Sequence, residues 1–378
     1  MRKKILAMIL AAILATGMVA CEKRDSSTET SQSPSEDSDS QQESYNLCVI
    51  TKSLSSSWMQ AVKKGVLESA EALNEEAGYE KVKVSYVGPK VQSEIEDQVE
   101  LLRDAISSGY DCIGLAALDP YSVANALADA KNAGIPVVGW DSGIPGAPED
   151  SVVANISIDN YAAGEEAATE LYAKVKERIG KGKQVGIGIL SATSISNVHV
   201  ERDLGFIDKF IELANADGKT VSVSGNEKII KEVSAETVSE RNADCVVEVR
   251  VPSQMKNDLI SAEAKVFLYE KNMIGIFANT QEVVGCILDA NEEVNVLGTD
   301  DEEMILMGFD AGAKALEAVR SGIMYGGINQ APYDIGKQTV EVMTKVCEGE
   351  EVEDISTEFN FYDADNLEDE EIAENLYE

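Results

Sequence analysis

Short apolar runs alternate with longer amphipathic stretches along most of this chain. The first apolar run covers residues 47–50, and apolar residues at helical spacing follow over 58–77, where Gly78 ends the pattern. The same pair recurs as a strand over 82–87 and a helix over 93–108. Continuous apolar strands separated by helices predict a parallel sheet that is covered on both faces.

The rest of the chain continues this alternation in a second set that begins after Val152. Further strands are predicted over 112–116, 135–139, 184–190, 220–224, 245–251, 273–278 and 294–298, with helices over 121–133, 202–215 and 257–271 and others that start near 159 and 281. The stretch 226–244 has a helical pattern without a definite place in this order. The pattern therefore predicts an α/β fold of two doubly wound parallel-sheet lobes.

Two local features refine this prediction. Ser93 and Glu96 have the spacing of a capping box, which predicts that the helix over 93–108 begins at Ser93. Open α/β sheets bind ligands beyond the carboxyl ends of their strands. The loops predicted at those ends cover residues 53–58, 116–120, 140–144, 191–199, 279–281 and 299–302.

The first 44 residues have a different composition. Basic residues at 2–4 precede an apolar run over 5–15, and small residues then lead to Cys21, which is the pattern of a secretory signal over 1–20. The apolar run is shorter than the roughly 20 residues that a spanning helix needs. Residues 22–44 include no apolar or aromatic side chain, so we expect residues 21–44 to form a disordered tether.

Charge excludes two classes of partner. The chain has 68 acidic and 32 basic residues and a formal net charge of −36. Binding to nucleic acid requires a basic surface, so we expect no nucleic-acid partner. Close contact between the folded body and an anionic bilayer is disfavoured by the same charge.

The chain lacks the signatures of common catalytic and metal sites. His199 is the only histidine, and there is no G-x-S-x-G, Walker-type or H-E-x-x-H motif. The five cysteines after Cys21 include no C-x-x-C pair, and Cys48, Cys112 and Cys245 lie in apolar strand-like runs, where a thiol behaves as a small hydrophobe. We therefore expect no enzyme activity, no cofactor and no metal, and buried thiols in preference to a structural disulfide.

Six short motifs in a fixed order carry a family resemblance. They are IPVVGWD at 135–141, SIDNYAAG at 157–164, RDLGF at 202–206, IFAN at 276–279, VLGTD at 296–300 and NQAPYDIG at 329–336. Together they resemble the type I periplasmic-binding-protein family, and within it the ribose-binding-like sugar receptors of ABC importers. The resemblance extends over most of the chain after the tether.

This resemblance implies two lobes that are joined by three crossing strands and close on a ligand in the cleft between them. Lobe one would comprise residues 45–156 and 331–356, and lobe two would comprise 157–330 and 357–378 with its acidic tail. The crossings would fall near 156–159, 330–332 and 359–365. We expect a monomer that binds a small polar molecule, with a sugar as the expected ligand.

The resemblance also implies ligand contacts at particular positions. Asp141 matches the family's sugar-binding aspartate after the fourth strand, because a carboxylate accepts hydrogen bonds from two adjacent hydroxyls. Asp300 matches the aspartate of the second lobe, and Gln330 matches a glutamine at a crossing. In the alternative interpretation, both aspartates only cap the turns that follow their strands.

Other matches are less complete. Trp58 stands where the family places an aromatic residue against the sugar ring, although it could equally be part of the core. Ser56 replaces the family's asparagine in the first loop, and Asn279 keeps only part of an Asn-Asp pattern. Ser142 and Val200 occupy the positions of the family's two arginines, which makes ribose itself doubtful as the ligand. Arg202 and Asp203 are interpreted as structural residues that open a helix.

The end of the signal resembles the lipobox of bacterial lipoproteins. Residues 18–21 read Met-Val-Ala-Cys, so Cys21 is expected to carry a lipid that anchors the protein to the outer face of the cell membrane. An ordinary cleaved signal followed by an incidental cysteine is the alternative interpretation.

Several functions are compatible with this sequence. The leading hypothesis is a receptor that delivers its ligand to an ABC permease, and the alternative is a receptor that presents its loaded form to a membrane sensor kinase or chemoreceptor. An enzyme on the same fold is disfavoured by the missing catalytic chemistry. A repressor of the related sugar-responsive type is excluded by the export signal and by the absence of a helix-turn-helix.

Overall fold

The computed structural model describes residues 43–373 and 375–377. The predicted signal, the predicted lipidation site Cys21 and nearly all of the predicted tether lie outside these residues. The strands are β1 Tyr45–Ile50, β2 Val82–Val87, β3 Cys112–Leu115, β4 Val137–Trp140, β5 Ala154–Ile158, β6 Val185–Leu190, β7 Val221–Gly225, β8 Cys245–Arg250, β9 Met273–Ala278, β10 Ile305–Phe309, β11 Gly326–Gln330, β12 Ile355–Thr357 and β13 Phe359–Asp363.

The helices alternate with these strands. They are α1 Ser57–Ala77, α2 Ile95–Ser108, α3 Pro120–Ala133, α4 Asn160–Val175, α5 Asn197–Ala216, α6 Glu227–Ile230, α7 Asn257–Tyr269, α8 Gln281–Val294, α9 Ala313–Arg320, α10 Pro332–Cys347 and α11 Glu370–Ala373, with short 3₁₀ turns at Lys176–Arg178 and Glu240–Asn242. No helix in the described part of the chain is both long enough and apolar enough to span a membrane.

Two sheets divide the body into two lobes. The sheet of lobe one has the order β12-β5-β4-β3-β1-β2, and that of lobe two has the order β13-β11-β10-β9-β6-β8-β7. All neighbouring strands run parallel except β13, which runs antiparallel to β11. Apolar clusters cover both faces of each sheet. The predicted architecture of two α/β lobes is confirmed.

The chain passes between the lobes three times. It leaves lobe one between β5 and α4 at Asp159, returns between β11 and α10 at Ala331, and leaves again between β12 and β13 at Glu358. The chain therefore passes from one sheet to the other close to the three crossings expected from the resemblance. The third passage begins slightly earlier in the sequence than expected.

A pair of glycines brings two helices of lobe one into backbone contact. Helix α1 packs against α10, and a Cβ atom added to Gly65 would overlap the carbonyl oxygen of Tyr333. Reciprocally, a Cβ atom added to Gly336 would overlap the carbonyl oxygen of Val62. Only glycine permits this approach, because any side chain would push the helices apart.

Lobe two repeats this arrangement. Helix α4 packs against α5, where a Cβ atom on Gly164 would overlap the carbonyl oxygen of Arg202 and one on Gly205 would overlap that of Tyr161. In each lobe, therefore, the helix that follows a crossing is held tightly to the helix that follows the first strand of that lobe.

Three details of the predicted elements are wrong. Helix α2 begins at Ile95, because the Glu94 carboxylate accepts the backbone N–H groups of Lys90 and Val91 and the chain turns there, so Ser93 and Glu96 form no capping box. The apolar residues over 294–298 form no strand and contribute only an isolated bridge between Leu297 and Met304. Helix α5 begins at Asn197, five residues before the predicted start.

The stretch 226–244, which had no definite place in the predicted order of elements, contains only α6 and one 3₁₀ turn between irregular segments. The cysteines Cys48, Cys112, Cys245 and Cys286 are buried, and in the described part of the chain no cysteine forms a disulfide.

The C-terminal segment returns to the boundary between the lobes. Asn329, on β11, donates its side-chain amide to the carbonyl oxygen of Asn375 at 2.8 Å. Tyr377 packs against the apolar clusters of both lobes, and its hydroxyl lies 3.4 Å from the Gln281 side-chain oxygen. The tail therefore contacts lobe one as well as the lobe to which it was assigned.

Candidate ligand site

A cleft lies between the lobes at the carboxyl ends of their strands. It is lined by Lys52, Ser56, Trp58, Met59, Gln92 and Asp141 from lobe one and by Val198, His199, Arg202, Thr280, Gln281, Glu282, Asp310 and Gln330 from lobe two. These residues follow β1, β2, β4, β6, β9, β10 and β11 or end one of them, which is where open α/β sheets place their ligands.

The two lobes touch across this cleft. The Gln281 side-chain amide donates to the Ser57 hydroxyl at 2.7 Å, and the Gln92 amide donates to the Glu282 carboxylate at 3.0 Å. The space left at the cleft centre is about 40 Å³. Since sites for drug-sized ligands are roughly 300 Å³ or more, the space at the cleft centre is smaller than such a site in this conformation.

Asp141 provides the acidic group of lobe one. It follows β4 with a left-handed φ of 61°, and its N–H donates to the Ile156 carbonyl at 2.8 Å. Its carboxylate forms a buried ion pair with the Lys52 ammonium at 2.8 Å, where the side chains are 7% and 6% exposed. A buried pair needs further hydrogen-bond partners to offset its desolvation, and hydroxyl groups of a ligand could supply them.

Asp310 is the corresponding residue of lobe two. It follows β10 with a left-handed φ of 66°, and its N–H donates to the Ile328 carbonyl at 2.6 Å. The Gln330 amide donates to its carboxylate at 2.6 Å. Burial raises the pKa of Asp310 to about 6, although the Arg202 charge and the Gln330 hydrogen bond oppose this effect. Asp310 therefore carries most of its negative charge at neutral pH.

Arg202 supplies the cation of lobe two. Its guanidinium group is 3.7 Å from the centre of the Phe309 ring and donates to the Asn160 side chain at 2.9 Å and to the Asn279 carbonyl at 3.1 Å. The side chain is buried and lines the cleft. These contacts hold a planar donor group in one orientation, which suits a ligand rich in hydroxyl or carboxylate oxygens.

A buried polar network supports Arg202 from behind. The Asn279 amide nitrogen donates to the Ser191 hydroxyl and the Asp203 carboxylate, each at 2.8 Å, and its oxygen accepts the Ala192 N–H at 3.0 Å. Burial raises the pKa of Asp203 to about 7, against the hydrogen bonds from Ser191 and Asn279. This network fixes the start of α5 and the end of β9 relative to each other.

Two more ionisable groups face the cleft. Burial, followed by the charges of Arg202 and Lys52, lowers the pKa of His199 well below its ordinary value, so the imidazole is neutral at neutral pH. Its Nδ1 atom is buried and has no hydrogen-bond partner among the described residues. Burial raises the pKa of Glu282, which accepts the hydrogen bond from Gln92.

Four predicted site residues line the cleft. Asp141 and Gln330 have the positions described above, and Ser56 also caps α1 by accepting the Met59 N–H at 3.5 Å. Trp58 belongs to the lobe-one core and also lines the cleft, so its contact with a ligand ring stays a prediction. Its indole N–H is buried without a partner among the described residues, which leaves a donor for a ligand.

The other two predicted site residues do not line the cleft. Asn279 is 0% exposed and its amide is fully occupied within lobe two, where it contacts Asp203 and its carbonyl oxygen accepts from Arg202. Asp300 is exposed in a turn, where its N–H donates to the Glu303 carboxylate at 3.0 Å. Asp300 therefore does not line the cleft of this structure, because no strand carries it there, whereas Asp310 directly follows β10 and does line the cleft.

Several cleft residues were missed. Arg202 was interpreted as structural because α5 was expected to begin there, whereas it lies in the second turn and faces the cleft. Lys52 lies two residues after the end of β1 and one residue before the loop that was singled out. Asp310 follows the apolar run of β10, a strand signal that was overlooked. In the described part of the chain, no group of three or more His, Cys, Asp or Glu side chains could hold a metal ion.

Known proteins resemble this chain over most of its length. The sequence model of the periplasmic binding protein domain matches residues 47–351. The ribose import binding protein of Bacillus subtilis (strain 168) is 23% identical over 313 residues, which are 82% of this chain and 84% of that protein.

Solved structures give the same result for the fold. A protein from Brachyspira murdochii, described as an ABC transporter, LacI family transcriptional regulator, has 28% identity and a TM-score of 0.72, with 89% of this chain and 99% of that chain covered. An ABC transporter solute binding protein from Agrobacterium vitis with bound D-fucose has 23% identity and a TM-score of 0.70, with 88% and 100% covered.

Proposed function

Because this chain belongs to the periplasmic binding protein family, we propose that it is an extracytoplasmic receptor that captures a sugar and delivers it to an ABC permease. The lobes would open to admit the ligand and close around it, and the closed form would be the one that the permease recognises. The protein would act as a monomer.

The arrangement of the cleft is the observation that carries this proposal. Asp141 and Asp310 face the same cleft from opposite lobes, each with a donor side chain beside its carboxylate. A polyol offers hydroxyl groups that both accept and donate, so one ring can satisfy carboxylates and cations at once. Trp58 adds an apolar surface for the C–H face of the ring.

The named relatives favour transport over signalling. The Bacillus subtilis relative is named for ribose import, and the Agrobacterium vitis protein is an ABC transporter component with a bound sugar. The words "transcriptional regulator" in the description of the Brachyspira murdochii protein do not extend to this chain, because its net charge of −36 is unsuited to DNA.

A ligand screen tests this proposal. We expect at least one monosaccharide to raise the midpoint of thermal unfolding by about 5 °C at a hundred times its dissociation constant, since this excess contributes about 2.7 kcal/mol. The same ligand should reduce the radius of gyration measured by small-angle X-ray scattering. A bound ligand without compaction would contradict closure, and a panel of sugars without any thermal shift would contradict the sugar-receptor proposal.

We also propose that Cys21 carries the lipid that anchors the receptor. The small residues before Cys21 and the polar tether after it support this proposal. The Cys21→Ser variant is expected to move from the membrane fraction to the soluble fraction of the producing cells, and Cys347→Ser serves as a control that leaves the anchor intact. An unmodified thiol at Cys21 in membrane-free wild-type protein would contradict the anchor.

A further inference from the structure

A larger chamber opens beside the cleft centre. This outer chamber has a volume of about 740 Å³ and lies between the segments that follow β6, β7 and β8 in lobe two and those that follow β1, β2 and β3 in lobe one. It shares Lys52, Gln92 and His199 with the cleft centre. Because its volume is within the roughly 300–1,000 Å³ of small-molecule sites, a ligand held at the cleft centre has room to extend into it.

The lining of the outer chamber is basic, although the protein is strongly acidic. It includes Lys52, Lys228 and Lys256 but no aspartate or glutamate, whereas the whole chain has 68 acidic and 32 basic residues. Lys52 is paired with Asp141. The ammonium groups of Lys228 and Lys256 form no hydrogen bond or ion pair with any other described residue. Two cations are therefore free to interact with a ligand.

The N-terminus of α5 opens into the same chamber. Ser196 precedes this 20-residue helix but makes no capping hydrogen bond, and there is no acidic residue in the first turn. Ser196 lines the chamber and is 6% exposed, and its hydroxyl is buried without a partner among the described residues. Free N–H groups at the start of a helix, together with the helix dipole, favour an anion.

From these observations we infer that the ligand carries an anionic group, a carboxylate or a phosphate, which binds in the outer chamber. The Ser196 hydroxyl and the first N–H groups of α5 would donate hydrogen bonds to this group, and Lys228 and Lys256 would attract it. With the lobes moved apart enough to admit a sugar ring, the uncharged part of the ligand would lie at the cleft centre beside Asp141. This inference rests on the proposed function and specifies the class of sugar as an acidic or phosphorylated one.

Matched pairs of sugars test the inference. Calorimetric titrations would compare D-glucose with D-glucuronate and D-glucose 6-phosphate, D-galactose with D-galacturonate, and D-ribose with D-ribose 5-phosphate. We expect the anionic member of at least one pair to bind 10-fold or more tightly than the neutral one. The arms with carboxylates and phosphates distinguish the two anions. The preference should decrease with added salt, because the lysines are exposed to solvent.

Variants of the chamber identify the place of binding. Two variants should each weaken the binding of the anionic sugar by about 10-fold and leave the binding of a neutral sugar unchanged. One combines Lys228→Gln with Lys256→Gln, and the other is Ser196→Ala. Lys231→Gln is the matched control, because Lys231 lies near Lys228 but pairs with Glu227 and does not line the chamber.

The outcomes separate this inference from the proposed function. If neutral sugars bind as tightly as their anionic partners, the inference is wrong and the sugar receptor stands. If an anionic sugar is preferred but neither chamber variant weakens it, the assignment to the outer chamber is wrong. If no sugar of either kind binds, the proposed function fails and this inference fails with it.

Discussion

The Arg202→Met variant is expected to lose at least 100-fold in ligand affinity. The guanidinium group lines the cleft, is stacked at 3.7 Å on Phe309, and is oriented by hydrogen bonds to Asn160 and Asn279. Hydrogen bonds from a charged donor contribute about 1.5–3 kcal/mol each, so the loss of two such bonds to a ligand lowers its affinity by more than two orders of magnitude. Calorimetry with the sugar identified in the thermal screen would measure this loss.

Two further variants make this test specific. Arg202→Lys keeps the charge but loses the planar fork and the ring stacking, so it should recover only a small part of the affinity. Arg320→Met is the matched control in the same lobe, because Arg320 lies on α9 with an exposed side chain near Glu368 and away from the cleft. Equal affinities for wild type and Arg202→Met would remove Arg202 from the site.

The same Gly→Ala change is expected to have opposite effects in two helices. Gly336→Ala should lower the free energy of unfolding by about 2–3 kcal/mol, because the new methyl group meets the backbone of α1 and must push the helices apart. Gly285→Ala, on α8, should raise it by about 0.5–1 kcal/mol, because its methyl group meets nothing within 4 Å and alanine favours the helix.

Chemical denaturation of the ligand-free protein would measure both values. Gly205→Ala extends the test to lobe two, where it should be as destabilising as Gly336→Ala and should also weaken ligand binding, since it displaces the helix that carries Arg202. A gain in stability for Gly336→Ala would show that the α1–α10 contact is looser than the structure has it.

Most of the fold could be predicted because nearly every strand is a short apolar run bounded by turn residues. The run over 82–87 matches β2 at both ends, and Gly78, Gly109 and Gly134 each end a helix with a left-handed φ. The failures occur where local and tertiary preferences differ. Residues 294–298 are apolar enough for a strand, but Val294 ends α8 and Asn295 caps that helix with a left-handed φ of 54°, so only Leu297 pairs, through one bridge to Met304.

The site was less predictable than the fold. Asp141 follows a strand that the pattern places correctly, and its role in the cleft needs only that placement. Lys52 and Arg202 could not be identified in this way, because whether a long side chain turns toward the cleft depends on tertiary packing. The prediction for Arg202 failed because the start of α5 was placed too late in the sequence. Ser196 precedes this helix but makes no capping hydrogen bond, so no capping motif marks the start of the helix.

The paired glycines join helices from two similar halves of the chain. The strand order β5-β4-β3-β1-β2 of lobe one corresponds to β11-β10-β9-β6-β8 of lobe two, where β7 is an additional edge strand, and Asp141 and Asp310 occupy equivalent strand ends with the same left-handed backbone. The segment that builds lobe one ends in α4, which packs in lobe two, and the segment that builds lobe two ends in α10, which packs in lobe one. Each half of the chain therefore contributes its last helix to the lobe built by the other half. Neither half completes its own lobe, so each lobe depends on a helix–helix contact that the other half supplies.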